Sequence, residues 1–162
     1  MKNCKFLLLL VLMVFALGIC AMATDTVYVN DPENAASYAT VEAAIDALPD
    51  SGGTVIVCGD TSLALTANQT LPAKGGKVII RGSEKTVKIT IAKDLILGSE
   101  TEFDNLTLYT QTSSAENLVA NGNKLTIGEN VITECASGAR YIRVFGGSRT
   151  ANTTYEIGRA HV

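Results

Sequence analysis

Apolar residues follow two different periods along this chain. Between Val41 and Leu48 they fall at Val41, Ala44, Ile45 and Leu48, the i, i+3, i+4, i+7 spacing that lines one face of a helix. Thr40 stands where a helix N-cap belongs and Glu42 suits the positive end of the helix dipole. Pro49 and the cluster Asp50-Ser51-Gly52-Gly53 stop the segment. Before it, Thr26-Val27-Tyr28-Val29 alternates as a short strand does, and Asn30-Asp31-Pro32 turns the chain. After it the period becomes two: Val55/Val57, Val78/Ile80, Ile89/Ile91, Leu95/Leu97, Leu106/Leu108, Leu125/Ile127 and Ile142/Val144. Each pair sets two apolar side chains on one face of an extended segment. Turn clusters separate them, among them Lys74-Gly75-Gly76, Gly98-Ser99, Asp104-Asn105, Asn121-Gly122-Asn123 and Gly146-Gly147. No proline follows Pro72, so the later strands keep all their backbone donors.

Short strands at close spacing fit a sandwich or a solenoid. Three features favour the solenoid. Two-residue Asn-Gly hairpins between matched strands are scarce, each strand offers only two or three inward residues, and Thr, Ser, Asn and Gly fill the bends. Against this, the intervals from Leu106 to Leu125 and from Leu125 to Ile142 are unequal. Resemblance adds weight. Residues 38–49, followed by Gly52-Gly53-Thr54-Val55-Ile56-Val57, resemble the entry of pectate-lyase-like right-handed parallel β-helix proteins. There a short amphipathic helix caps the open end and a Gly-Gly turn feeds the first coil. Residues 120–131 and 141–147 resemble segments of large repetitive surface proteins of bacteria. The resemblance implies an all-β, right-handed parallel β-helix with one N-terminal capping helix. It is specific for fold and nearly silent on activity.

Lys2 and Lys5 precede an apolar run from Phe6 to Leu17 that leaves through Ala21-Met22-Ala23. This reads as a secretory signal peptide over residues 1–23, cut after Ala23. The run is shorter than the ~20 residues that a membrane span needs. Leu17-Gly18-Ile19-Cys20 also approaches a lipoprotein signal, but Ile19 stands where a small residue is wanted. Cleavage removes two lysines and no acid, which takes the formal charge two units below the whole-chain −3. With no basic patch, nucleic acid is excluded as a partner. Residues 24–53 then form an entry strand and cap, and 54–156 the coils. The last six residues, Ile157-Gly158-Arg159-Ala160-His161-Val162, are what a common sequencing-adapter stretch encodes in one frame, stop codon included. Residues 157–162 are therefore expected to be an adapter artefact, and the protein to be C-terminally truncated. His161 is the chain's single histidine, so an artefactual tail leaves no histidine for a triad or a zinc site.

Glu100, Glu102 and Asp104 lie two apart, a spacing that could gather carboxylates for Ca²⁺. A straight strand would bury these charges beside Leu106 and Leu108, at severe cost. A bend at Asp104-Asn105 instead turns Phe103 inward and leaves the acids solvated. Arg81, Arg140 and Arg143 read as solvated strand flanks, and Tyr109, Tyr141 and Phe145 as rim packing rather than sugar platforms. Three sequons, at Asn68, Asn105 and Asn152, read as polar bends. Cys58 and Cys135 are expected to stay unpaired, because three or more rungs of ~4.8 Å separate them. No catalytic, cofactor-binding or metal-binding residue is assigned. The chain is expected to be the non-catalytic N-terminal portion of a secreted or cell-surface β-helix protein. Its partners would be extracellular polysaccharide or the cell envelope, with self-association at the cut end. The alternative is the start of a secreted polysaccharide lyase or glycoside hydrolase whose active site lies further on.

Overall fold

The computed structural model describes residues 25–63, 69–111 and 117–147. In chain order these form β1 (Thr26–Val29), α1 (Val41–Ala47), β2 (Gly53–Val57), β3 (Thr61–Leu63), β4 (Gln69–Thr70) and β5 (Val78–Gly82). There follow β6 (Lys88–Ile91), β7 (Leu95–Ile96), β8 (Thr101–Asp104), β9 (Thr107–Thr110) and β10 (Asn117–Val119). The last three are β11 (Leu125–Ile127), β12 (Ile132–Cys135) and β13 (Arg143–Phe145). The regions expected to be a signal peptide and an adapter tail, and the sequon residues Asn68 and Asn152, lie outside the described residues.

The strands make three sheets: A, ordered β1-β2-β5-β8-β11; B, ordered β3-β6-β9-β12; and C, ordered β4-β7-β10-β13. The pairings are parallel. The chain runs through A, B and C and returns to A one strand further along, so the molecule is a parallel β-solenoid of four turns. One turn takes roughly two dozen residues, because closing three strands of this length with short corners requires about that much chain.

Register turns the sequence pairs into columns. Val27, Val55, Ile80, Phe103 and Ile127 stack down the inside of sheet A. Leu95, Leu118 and Val144 stack in sheet C. Their buried members, all but Ile127 and Val144, meet in one core that also holds Leu63, Ile89, Ile91 and Leu108 from sheet B. Corners close tightly. Gly52 has φ +83, and a Cβ on Gly76 of the next turn would overlap the Ser51 carbonyl oxygen. Successive C-to-A corners thus touch backbone to backbone, which only glycine allows.

α1 closes the upper end. Sheet A begins with β1, whereas sheets B and C begin one turn later with β3 and β4, and α1 covers the core there. Val41, Ala44 and Ile45 are buried in the common core, with Leu48 just past the helix. Thr40 caps the first turn through its hydroxyl, which accepts from the Ala43 N–H at 3.1 Å. Two contacts tie the helix to the coils: Gln69 Nε2 donates to Glu42 Oε1 at 2.6 Å, and Lys74 Nζ donates to the Asp46 and Leu48 carbonyls at 3.0 and 2.7 Å. The outer edge of β1 is covered as well, since the Tyr38 N–H donates to the Tyr28 carbonyl at 2.8 Å.

Three expected pairs are corrected, since Leu97 follows β7 and Ile142 precedes β13 just as Leu106 precedes β9. Leu106 and Leu108 do not share one strand, because the chain bends at Asn105 (φ 49) and β9 starts at Thr107. Both leucines, which follow that corner, are buried all the same.

Candidate polar groove on the outer face of sheet B

Outward residues of sheet A carry the three carboxylates singled out by spacing. β8 buries Thr101 and Phe103 and turns Glu102 and Asp104 outward. Each acid meets a cation from the adjacent turn. Lys77 pairs with Glu102, Arg81 Nη2 lies 2.7 Å from Asp104 Oδ2, and Lys124 Nζ lies 3.2 Å from Glu100 Oε1. The acids therefore form a ladder of ion pairs along the solenoid, and a shared metal would have to displace those cations. Among the described residues, no group of three or more His, Cys, Asp or Glu is placed to hold a metal ion.

Sheet B offers a different surface. Its register stacks Ser62 on Thr90, Thr90 on Tyr109 and Tyr109 on Glu134, all on the outer face. Lys88, two residues before Thr90 and so on the same face, reaches past the Tyr109 ring to Glu134. Its Nζ lies 4.9 Å from the ring centroid and 2.9 Å from Glu134 Oε2. The carboxylate hydrogen bond and charge raise the Lys88 ammonium above its usual value. Asp60 is fixed from the turn below, its Oδ1 accepting from the Lys88 N–H at 2.8 Å. Between these side chains runs an open groove of about 230 Å³, lined by Asp60, Ser62, Lys88, Thr90, Tyr109 and Gln111. Carboxylate, hydroxyl, ammonium, phenol and carboxamide groups all face one channel. This lining gives and accepts hydrogen bonds along the solenoid axis and places an aromatic ring beside them.

Of these six residues the sequence singled out Tyr109 alone, as rim packing; its ring borders the groove instead. The others come from three successive turns, so only the register brings them together. A repeat of about two dozen residues would have revealed them, had the turns been aligned first. Tyr141 and Phe145 lie on the last turn, both exposed. Arg81 is engaged by Asp104, so it does not stand as a base beside an open site.

Cys58 and Cys135 are free. Cys58 follows β2 in the first turn, and Cys135 ends β12 in the last. Burial raises the Cys58 thiol above its ordinary value, the Asp31 charge adds to this, and a hydrogen bond with Ser83 opposes both. Among the described residues, no helix is long and apolar enough to cross a membrane. Comparison with protein-family models, curated proteins and solved structures gives no match to this chain.

Proposed function

We propose that the chain is a non-catalytic, exported β-solenoid module, the N-terminal portion of a secreted or cell-surface protein, that contacts hydroxyl-rich polysaccharide. In this reading it belongs with the right-handed, pectate-lyase-like β-helices. One observation carries it. The sheet B groove is built from side chains that hydrogen-bond hydroxyls, beside the ring of Tyr109, on strands whose spacing repeats along one axis. Sugar rings offer hydroxyls at their edges and C–H faces that pack on aromatic rings, and a polysaccharide extends that pattern along a line. Contact rather than turnover is favoured because the carboxylates of sheet A are each held by a cation.

Binding of insoluble and soluble polysaccharides by the purified chain tests the reading. Tyr109→Ala and Asp60→Ala should each weaken retention by about tenfold, while circular dichroism stays unchanged. Equal retention by both variants would remove the groove from the proposal. Release of new sugar ends during incubation would replace contact with hydrolysis or elimination. Export is tested separately, by N-terminal sequencing of the secreted form, which should begin at Thr24.

A further inference from the structure

Charge is set unevenly along the sheet B groove. The outward column Ser62, Thr90, Tyr109 and Glu134 spans four turns, about 14 Å at three strand spacings. Asp60 stands beside the first of these turns, bonded to the Lys88 N–H, and Glu134 stands on the last. A carboxylate therefore marks each end. Between them Lys88 is the one cation among the residues that line the groove. Its Nζ is held across the Tyr109 ring by Glu134, 2.9 Å away. One ammonium between two carboxylates leaves a single negative charge in excess. The Lys88 and Glu134 side chains are 41 % and 45 % exposed, so the pair is within reach of a ligand.

We propose that this groove takes an uncharged glycan and discriminates against acidic polysaccharides, whose sugars carry carboxylates. The inference rests on the polysaccharide reading above and narrows it to a substrate class. Hydrogen-bonding capacity is the first argument. Asp60, as a carboxylate, only accepts; the Lys88 N–H occupies one position on Oδ1, and its remaining lone pairs call for donors. Sugar hydroxyls donate, whereas a sugar carboxylate cannot. Ser62, Thr90 and Gln111 both donate and accept, so they suit hydroxyls in either role.

The ion pair is the second argument. An ammonium has three donors, and one of those on Lys88 points at Glu134. A hydroxyl oxygen can accept from another without disturbing the pair. A sugar carboxylate would compete with Glu134 for the same charge, and by winning would leave Glu134 unpaired beside it. Asp60 opposes a second carboxylate at the other end. A polyuronate carries one on every ring, so it cannot lie along a groove of this length without setting one near Asp60 or Glu134. Glu134 is thereby a specificity-determining residue: it keeps the Lys88 ammonium for hydroxyls and withholds it from carboxylates.

Matched polymers test this. A soluble glucan, mannan and galactan, each in its neutral form and with its primary hydroxyls oxidised to carboxylates, are compared for binding to the purified chain. Low salt keeps charge effects large, and a chelator prevents cations from bridging carboxylates. The expected result is that a neutral polymer binds and its oxidised form binds at least tenfold more weakly. The gap should narrow at about 1 M salt, where the Debye length falls to about 3 Å. Glu134→Gln, with an unchanged circular dichroism spectrum, should raise affinity for the oxidised form about tenfold by freeing Lys88. An oxidised polymer that binds as tightly as its neutral parent overturns the inference, and so does a Glu134→Gln chain in which their ratio is unchanged. Either result leaves the polysaccharide reading standing. Failure of every polymer to bind, neutral and oxidised alike, removes that reading and this inference with it.

Discussion

Replacing Ile45 with alanine removes three carbons from a side chain 1 % exposed at the centre of the α1 stripe. At ~0.8 kcal/mol per buried methylene the transfer loss is about 2.4 kcal/mol. The cavity left under a clamped helix adds to it, and the better helix propensity of alanine returns a few tenths. The expected destabilisation is about 3 kcal/mol. α1 has seven residues and cannot persist alone, so its order comes from docking, and a weakened dock loosens the whole cap. Urea denaturation should show the loss. Hydrogen exchange should locate it in β1, α1 and the first turn, while β8 and β9 keep their protection, because each turn of a solenoid touches only its neighbours. A loss below about 1 kcal/mol would show that α1 rests on the coil without sealing its core.

Gly76→Ala forces a Cβ onto the Ser51 carbonyl oxygen, and the corner should lose about 1–3 kcal/mol in the same urea assay. Lys124→Met breaks an ion pair whose lysine is 62 % exposed, and should change stability by less than about 1 kcal/mol, less still in high salt. Glu134 raises Lys88 above 10.5, so that pair contributes in full below the unfolded-state value and is lost as pH rises through the higher folded value. Lys88→Met should therefore flatten the alkaline fall of a stability–pH profile. The Cys58 thiol, raised by burial and by Asp31, should alkylate more slowly than a free thiol at about pH 8.5, where an unperturbed thiol is half ionised. Asp31→Asn should recover part of that rate.

Local signals carried the helix. The Thr40 cap, the four-residue stripe and the Pro49 stop all act within one turn of chain, and α1 ends where they say. The inward turn of Phe103 was legible for a similar reason, since burying Glu102 or Asp104 would cost far more than bending at Asn105. The repeat was not legible, because the intervals compared residues of different sheets. Leu106 lies at an A-to-B corner, Leu125 in sheet A and Ile142 just before sheet C. Compared within one sheet, Val55, Ile80, Phe103 and Ile127 recur evenly. The cations that hold Glu100, Glu102 and Asp104 come from neighbouring turns, and so do the walls of the groove. Such contacts depend on register, which corner lengths set and which no single strand encodes.

Register has a consequence for how such a chain changes length. Equivalent positions face each other turn after turn, as Thr54, Ile79, Glu102 and Thr126 do on sheet A. A duplicated stretch of roughly two dozen residues, begun and ended at the same corner, would present the same face above and below. It would lengthen the rod by one strand spacing of ~4.8 Å without moving any earlier contact. A single residue inserted inside a strand would shift the rest of that strand to the opposite face. Growth in this architecture is therefore quantised: reach is set by counting turns, and gene duplication is free to adjust it one step at a time.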